Sequence, residues 1–280
     1  MEFPQKSATD LRLSITVVLF GMPRRSDLTI ESIQGNMISP CVEAGLSVES
    51  VASFNLVHRV SSARSGELDV AIEAQSYIGF GADYTLIKKQ DHADVVELVE
   101  ISKRYRDVYK DEWVSVRNCF HQLLSLKRAW KFIEDNQIRS NFYLFLRPDL
   151  LYHDRLDVPR MVTAVGASGG VALPFWHSWN GHNDRMAFAA PPAAAAYANR
   201  VDLVPAFCAK AGFMQPEQLL KSRCARQGCG CTTSALLRAG CARTEASNGK
   251  NSPSQCINLA ANRASSLNAL LDCLSAACGV

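Results

Sequence analysis

The chain reads as an α/β protein, a mixed sheet flanked by helices, followed by an irregular cysteine-rich tail. Three features predict this. Two runs predict strands: Phe142–Leu146 is continuously apolar and aromatic, which marks a strand buried on both faces, and Leu11–Phe20 is β-branched and apolar, a strand expected at the centre of the sheet. Segments of helical period separate and follow them, above all Glu112–Asp135, where Val116, Cys119, Phe120, Leu123, Leu124, Trp130 and Ile133 form a stripe. The 280 residues, 48% hydrophobic and 20% charged, suffice for one domain with a sizeable core. The expected organisation is a domain over residues 1–223 and a tail over 224–280.

Taken in order, Leu11–Phe20 is expected as a central strand, ending in the turn Gly21-Met22-Pro23-Arg24-Arg25. A helix follows over Leu28–Ile38, with Ser26 or Asp27 as its cap and Pro40 as its stop. Val48–Val57 reads as the second strand and Asp83–Lys89 as another. Between them lies a polar loop with Ser61 and Ser62, and residues 68–80 are ambiguous, with a short helix the favoured reading. Val95–Tyr105 and Glu112–Asp135 are helices. Beyond Phe142–Leu146, strands are expected over Gly169–Trp176 and Met186–Ala189, and helices from Pro191 to Val201 and from Pro216 through Leu220.

Composition excludes several classes. A net charge of +3 is too small to argue for nucleic acid. Residues 200–280 carry nine Lys/Arg and four Asp/Glu, an excess of five cations that suits a solvated basic face. The apolar stretch Leu13–Met22 is half the roughly 20 residues of a membrane span. Glu2 and Asp10 spoil the basic start of a signal peptide, so a cytoplasmic protein is expected, with peripheral association at a membrane left open. Of ten cysteines, eight follow residue 200. The set Cys224, Cys229, Cys231 and Cys241 lacks the paired spacing of a zinc site, and reduced thiols are the expectation.

Three stretches carry chemistry. Gly21 and Arg24 stand at the carboxyl end of the first strand, where a glycine allows close ligand approach and an arginine suits phosphate; the bland alternative is a plain turn with solvated arginines. Arg147-Pro148-Asp149 ends the strand Phe142–Leu146, because Pro148 cannot join a ladder. This leaves a cation and a carboxylate at the sheet edge where open α/β sheets bind ligands, or else an ion pair capping a strand. The loop His177–Arg185 holds His177, His182, Asn183, Asp184 and Arg185 beside Trp176 and Trp179. Asp184 is either a base or the partner of Arg185, and the tryptophans are either stacking surfaces or core. Lys127, inside the helical stripe of Glu112–Asp135, either snorkels past the core or points into a site.

In this order, the chain resembles GT-A-type glycosyltransferase-like proteins of bacterial and viral polysaccharide and glycan biosynthesis. The resemblance rests on Val17-Val18-Leu19-Phe20-Gly21-Met22-Pro23-Arg24, on Phe142 to Leu150 with Arg-x-Asp where Asp-x-Asp is common, and on Asn183-Asp184-Arg185-Met186-Ala187-Phe188. It implies a GT-A-like, Rossmann-like sheet in residues 1–223 and transfer of a sugar from a nucleotide-sugar donor to a glycan or lipid-linked acceptor. The donor would lie at Phe20, Gly21, Arg24, Lys127, Arg147 and Asp149, and Asp149 would hold Mn²⁺ or Mg²⁺ against its diphosphate. Because Arg147 replaces a carboxylate, the alternative is that this arginine itself neutralises the leaving group. Asp184, with His177 and His182 behind it, would be the base for the acceptor hydroxyl. Trp176, Trp179, Asn183 and Arg185 would bind the acceptor.

Three other readings compete. A non-catalytic carbohydrate- or nucleotide-binding module on the same scaffold is favoured by the missing Asp-x-Asp. A zinc-dependent interaction protein would rest on the tail cysteines. A methyltransferase or dehydrogenase ranks lower, since the glycine fingerprint is absent. The donor, the acceptor, the stereochemistry and the oligomeric state are not encoded legibly.

Overall fold

The computed structural model describes residues 12–62, 67–73, 75–227 and 231–233. Its centre is β1 (Ser14–Gly21), paired in parallel with β2 (Ser47–Leu56) on one side and with β6 (Phe142–Leu146) on the other. Outward from β2 lies β5 (Tyr84–Lys89), also parallel. Beyond β6 come β8 (Met186–Ala189) and then β7 (Val171–Leu173), each antiparallel to its inner neighbour. A last strand, β9 (Cys231–Thr233), pairs in parallel with β7. The seven strands thus run β5-β2-β1-β6-β8-β7-β9, a mixed sheet as expected.

Strand alternation divides the core between two faces. Ile15, Val17 and Leu19 of β1 join Phe142, Leu144 and Leu146 of β6 and Met186 and Phe188 of β8 in one cluster. That face is covered by α1 (Ser26–Ser32), α2 (Ser39–Glu43) and α5 (Val158–Gly166). Val18, Phe20, Tyr143 and Phe145 face the other way, against α4 (Val114–Asp135), α6 (Pro191–Ala198) and α8 (Pro216–Gln227). A third cluster packs the first half of α4 against α3 (Val96–Lys103) and α7 (Val204–Ala211). The burial of Ile15–Gly21 in β1 and of all of β6 follows from their largely apolar sequences.

Several expectations are corrected. Pro40 does not stop the first helix. Residues Ile33–Ile38 wind as a π-helix, in which the Ser39 amide donates to Gln34 O, and α2 continues to Glu43. An α-helix would need a Pro40 N–H for the carbonyl of Asn36. That carbonyl instead accepts Leu156 N at 2.8 Å, so the missing donor leaves no orphan. The polar segment after β2 is an antiparallel hairpin, β3 (Arg59–Ser62) with β4 (Glu67–Ala71), followed by a 3₁₀ turn at Ile78–Phe80 where a short helix was favoured. The strand expected over Gly169–Trp176 shrinks to Val171–Leu173, with Pro174 directly after it. Helix α8 runs through the boundary placed at 223, and β9 brings a piece of the expected tail into the sheet. Most of the tail, including Cys241, lies outside the described residues. Among the described residues, Cys41, Cys119 and Cys208 are free thiols. Among the described residues, no helix is long and apolar enough to cross a membrane.

Candidate functional site

The carboxyl ends of β1 and β6 lie side by side and carry the two arginines singled out in the sequence. Arg24 follows β1 through a turn in which Gly21 adopts φ 112°, a conformation that favours glycine. The Gly21 amide donates to the buried Ser125 hydroxyl of α4 at 2.9 Å, which fixes the end of β1. Thr29 of α1 donates to Pro148 O at 2.7 Å and so ties this turn to the one after β6.

Between the two turns sits Asp149, its side chain only 6% exposed. Arg24 donates through Nε and Nη2 to Oδ2 at 3.1 and 3.0 Å. Arg147 donates through Nε to Oδ1 at 2.9 Å and through Nη2 to Oδ2 at 2.6 Å. Burial alone would raise the Asp149 pKa, but the Arg147 and Arg24 guanidiniums outweigh it and hold the carboxyl well below the usual range. The Arg24 and Arg147 side chains are 24% and 20% exposed, so the pair is not sealed from solvent.

This geometry bears on the expected metal. Both oxygens of Asp149 are bonded to guanidiniums, whereas Mg²⁺ or Mn²⁺ needs a shell of oxygen donors. Among the described residues, no three or more His, Cys, Asp or Glu side chains gather where they could hold a metal ion. The residues present therefore do not fit a divalent cation at Asp149. They fit the alternative, in which arginines supply the positive charge.

The loop between β7 and β8 borders the same edge, because Leu146 of β6 is paired with Met186 of β8. His177, Trp179 and Asn180 all have positive φ, at 51°, 43° and 65°. The His177 ring lies 5.2 Å from that of Trp176 and 6.0 Å from that of Trp179. Trp179 is exposed, while Trp176 packs against the core with a buried indole N–H that has no hydrogen-bond partner. Asn183 staples the loop: its amide donates to Trp176 O at 2.6 Å and its carbonyl accepts Arg185 N at 2.9 Å. Gly181 lies against the first turn of α8, where an added Cβ would be 2.1 Å from Glu217 backbone atoms. The neighbouring His182 amide donates to Glu217 O at 2.9 Å. Burial lowers the His182 pKa, and Lys221 adds to that.

Not every expected site residue reaches this edge. Phe20 is fully buried in the cluster under α4, so its ring serves the core. Lys127 pairs with Asp202 at 2.6 Å and lines a separate cavity on the α4 face. Asp184 is turned inward: Oδ2 lies 3.7 Å from Nη2 of the fully buried Arg200. Arg200 in turn stacks over the Tyr197 ring at 4.1 Å, and the Tyr197 hydroxyl donates to Asp184 O at 2.7 Å. The Arg185 guanidinium lies 3.7 Å from Glu217. Sequence reading missed Ser125, Arg200 and Glu217; an arginine eleven residues beyond an apolar strand gives no sign that it folds back beneath Asp184.

No protein-family profile matches the chain, and no curated protein sequence matches it. Solved structures similar to it in fold include the apo form of mouse xyloside xylosyltransferase 1, at 12% identity over 77% of this chain and 82% of that one, with a TM-score of 0.39. Another is the galactosyltransferase LgtC in complex with donor and acceptor sugar analogues, at 10% identity over 78% of this chain and 72% of that one, also at 0.39.

Proposed function

We propose that the protein is a glycosyltransferase that takes a nucleotide-sugar donor at the carboxyl ends of β1 and β6 and passes the sugar to a glycan or lipid-linked acceptor. The observation that carries this reading is the convergence of Arg24 and Arg147 on one buried carboxylate at the sheet edge. Two fixed guanidiniums suit a diphosphate, because arginine keeps its charge and its planar group favours phosphate oxygens. As the glycosidic bond to phosphate breaks, negative charge grows on the leaving diphosphate, and fixed cations stabilise it there. Asp149 positions both arginines and touches no substrate.

The acceptor lies along the Trp176–Arg185 loop. Trp179 is exposed and stacks on an apolar sugar face. For an inverting transfer, the acceptor hydroxyl gives its proton to a base while its oxygen bonds the anomeric carbon and the nucleoside diphosphate departs. His177, exposed between the two indoles, fits this role better than Asp184, which is buried on Arg200. The test is a thermal-shift and turnover screen of the purified protein against UDP, GDP, CMP and dTDP sugars, with Mn²⁺ and with EDTA. Donor at 100 times Kd should add about 2.7 kcal/mol of apparent stability. One nucleotide class should shift the protein, the shift should survive EDTA, and Arg147→Met should weaken it at least tenfold. No shift and no hydrolysis with any donor would overturn the proposal.

The burial of Asp184 on Arg200 favours a second reading, a module that binds the nucleotide sugar without turning it over. Donor binding with no transfer to any acceptor, and no effect of His177→Ala on hydrolysis, would select it.

A further inference from the structure

A cavity of about 300 Å³ opens between the carboxyl end of β5 and the outward face of α4. It shares no residue with the Arg24–Arg147–Asp149 cluster. Its walls carry four cations, Lys88, Lys127, Arg128 and Lys131, against a single carboxylate, Asp94. The amides of Asn55 and Gln90 add neutral polar groups, and Leu124 an apolar patch.

The cations differ in how firmly they are held. Lys88, Lys127 and Lys131 pair with Asp94, Asp202 and Asp135 at 2.6, 2.6 and 2.9 Å. These side chains are between 29% and 71% exposed, and surface pairs of that kind hold their partners weakly. Arg128 is different. It donates to Ser53 Oγ at 3.0 Å and Asn55 Oδ1 at 2.8 Å, both neutral acceptors. Burial lowers its pKa, which the Asp94 charge opposes. Asn55 is itself buried, and its own amide donates to His121 O at 2.8 Å. The guanidinium is thus anchored by a braced amide, yet among the described residues no carboxylate is hydrogen-bonded to it.

We infer that this cavity is a second anion site, which takes the phosphoryl group of a small phosphorylated molecule. Arg128 is its fixed anchor, and Lys88, Lys127 and Lys131 turn from their surface carboxylates to the incoming phosphate. A partly withdrawn arginine with neutral partners gains a charge-assisted bidentate contact from a phosphate. The volume lies at the lower end of small-molecule sites, which suits a phosphate ester of monosaccharide size rather than a polymer.

The test is calorimetric titration of the full chain at low salt with inorganic phosphate and, separately, with a hexose 6-phosphate. The variants are Arg128→Gln, Lys127→Gln/Lys131→Gln and Arg24→Gln. The expected result is saturable binding of at least one probe, weakened tenfold or more by each of the first two variants and changed less than threefold by Arg24→Gln. Inorganic phosphate alone would mark a bare phosphoryl site, and tighter hexose phosphate a sugar-phosphate site. The lysines are exposed, so the double variant keeps the test valid if Arg128→Gln fails to fold. Binding lost in Arg24→Gln but kept in the α4 variants, or no binding of either probe, would overturn the inference. None of these outcomes depends on nucleotide-sugar transfer.

Discussion

Replacing Asp149 with Asn probes the centre of the candidate site. The substitution keeps the shape and removes the charge that gathers Arg24 and Arg147, leaving two guanidiniums side by side. Removing one partner from a buried ion pair costs about 3–5 kcal/mol. Because both arginines retain some exposure, the lower end applies, about 3 kcal/mol. At about 2–4 °C per kcal/mol for a domain of this size, Tm should fall by about 6–12 °C. The loss should also depend on pH. The folded carboxyl is held below its unfolded value of about 3.9, so its contribution is complete above that pH and fades as the pH drops further. Urea unfolding of both proteins from pH 7 downward should show a gap that narrows below about pH 4. A variant within about 1 kcal/mol of the parent at pH 7, or a gap independent of pH, would refute the argument that Asp149 organises the two arginines.

Three further outcomes are expected. Gly181→Ala forces a methyl group onto the Glu217 backbone and should cost about 2 kcal/mol in chemical denaturation, with the Trp176–Arg185 loop displaced. Arg200→Met leaves Asp184 buried without its counter-charge and should cost about 3 kcal/mol; adding Asp184→Asn should restore part of it, as a double-mutant cycle would measure. His121 is buried beside His92, and burial first, then the His92 charge, lowers its pKa to about 4. Stability from keeping it neutral is complete above about pH 6.5 and is lost as the pH falls toward 4, so His121→Gln should flatten Tm against pH in that window.

What was legible in the chain followed the physics that acts locally. The strands β1, β6 and β8 are apolar on both faces, so an uninterrupted run announced them without knowledge of their neighbours. The hairpin β3–β4 was unreadable because Leu68 and Val70 alternate with Glu67 and Asp69 yet stay exposed, so no core face fixes the strand and its register is set by pairing. Pro40 misled because the rule that proline ends a helix assumes an orphaned carbonyl, and Leu156 supplies the donor from 116 residues further on in the fold's own closure. The site divides in the same way. Arg24, Arg147 and Asp149 could be placed at strand ends, since strand ends can be read. That Asp184 would turn to Arg200, and Lys127 to a different cavity, depended on how α4 and the segment after α6 pack.

Apart from Arg147–Asp149, which spans two residues, the bonds that build the arginine cluster are long along the chain. Thr29 reaches Pro148 across 119 residues, the Tyr152 amide reaches Ser32 across 120, and Arg24 reaches Asp149 across 125. Contacts so distant in sequence form only after a large loop has been closed, and the entropy of that closure must be met before they return any stability. The anion-binding edge therefore belongs to the late part of folding. Helix α4 and the β1–β2 crossover can form from nearer contacts, but the two arginines meet only when β6 docks against β1. A nascent chain released from synthesis anywhere before Asp149 has no such site, and competence for ligand arrives together with the completed sheet.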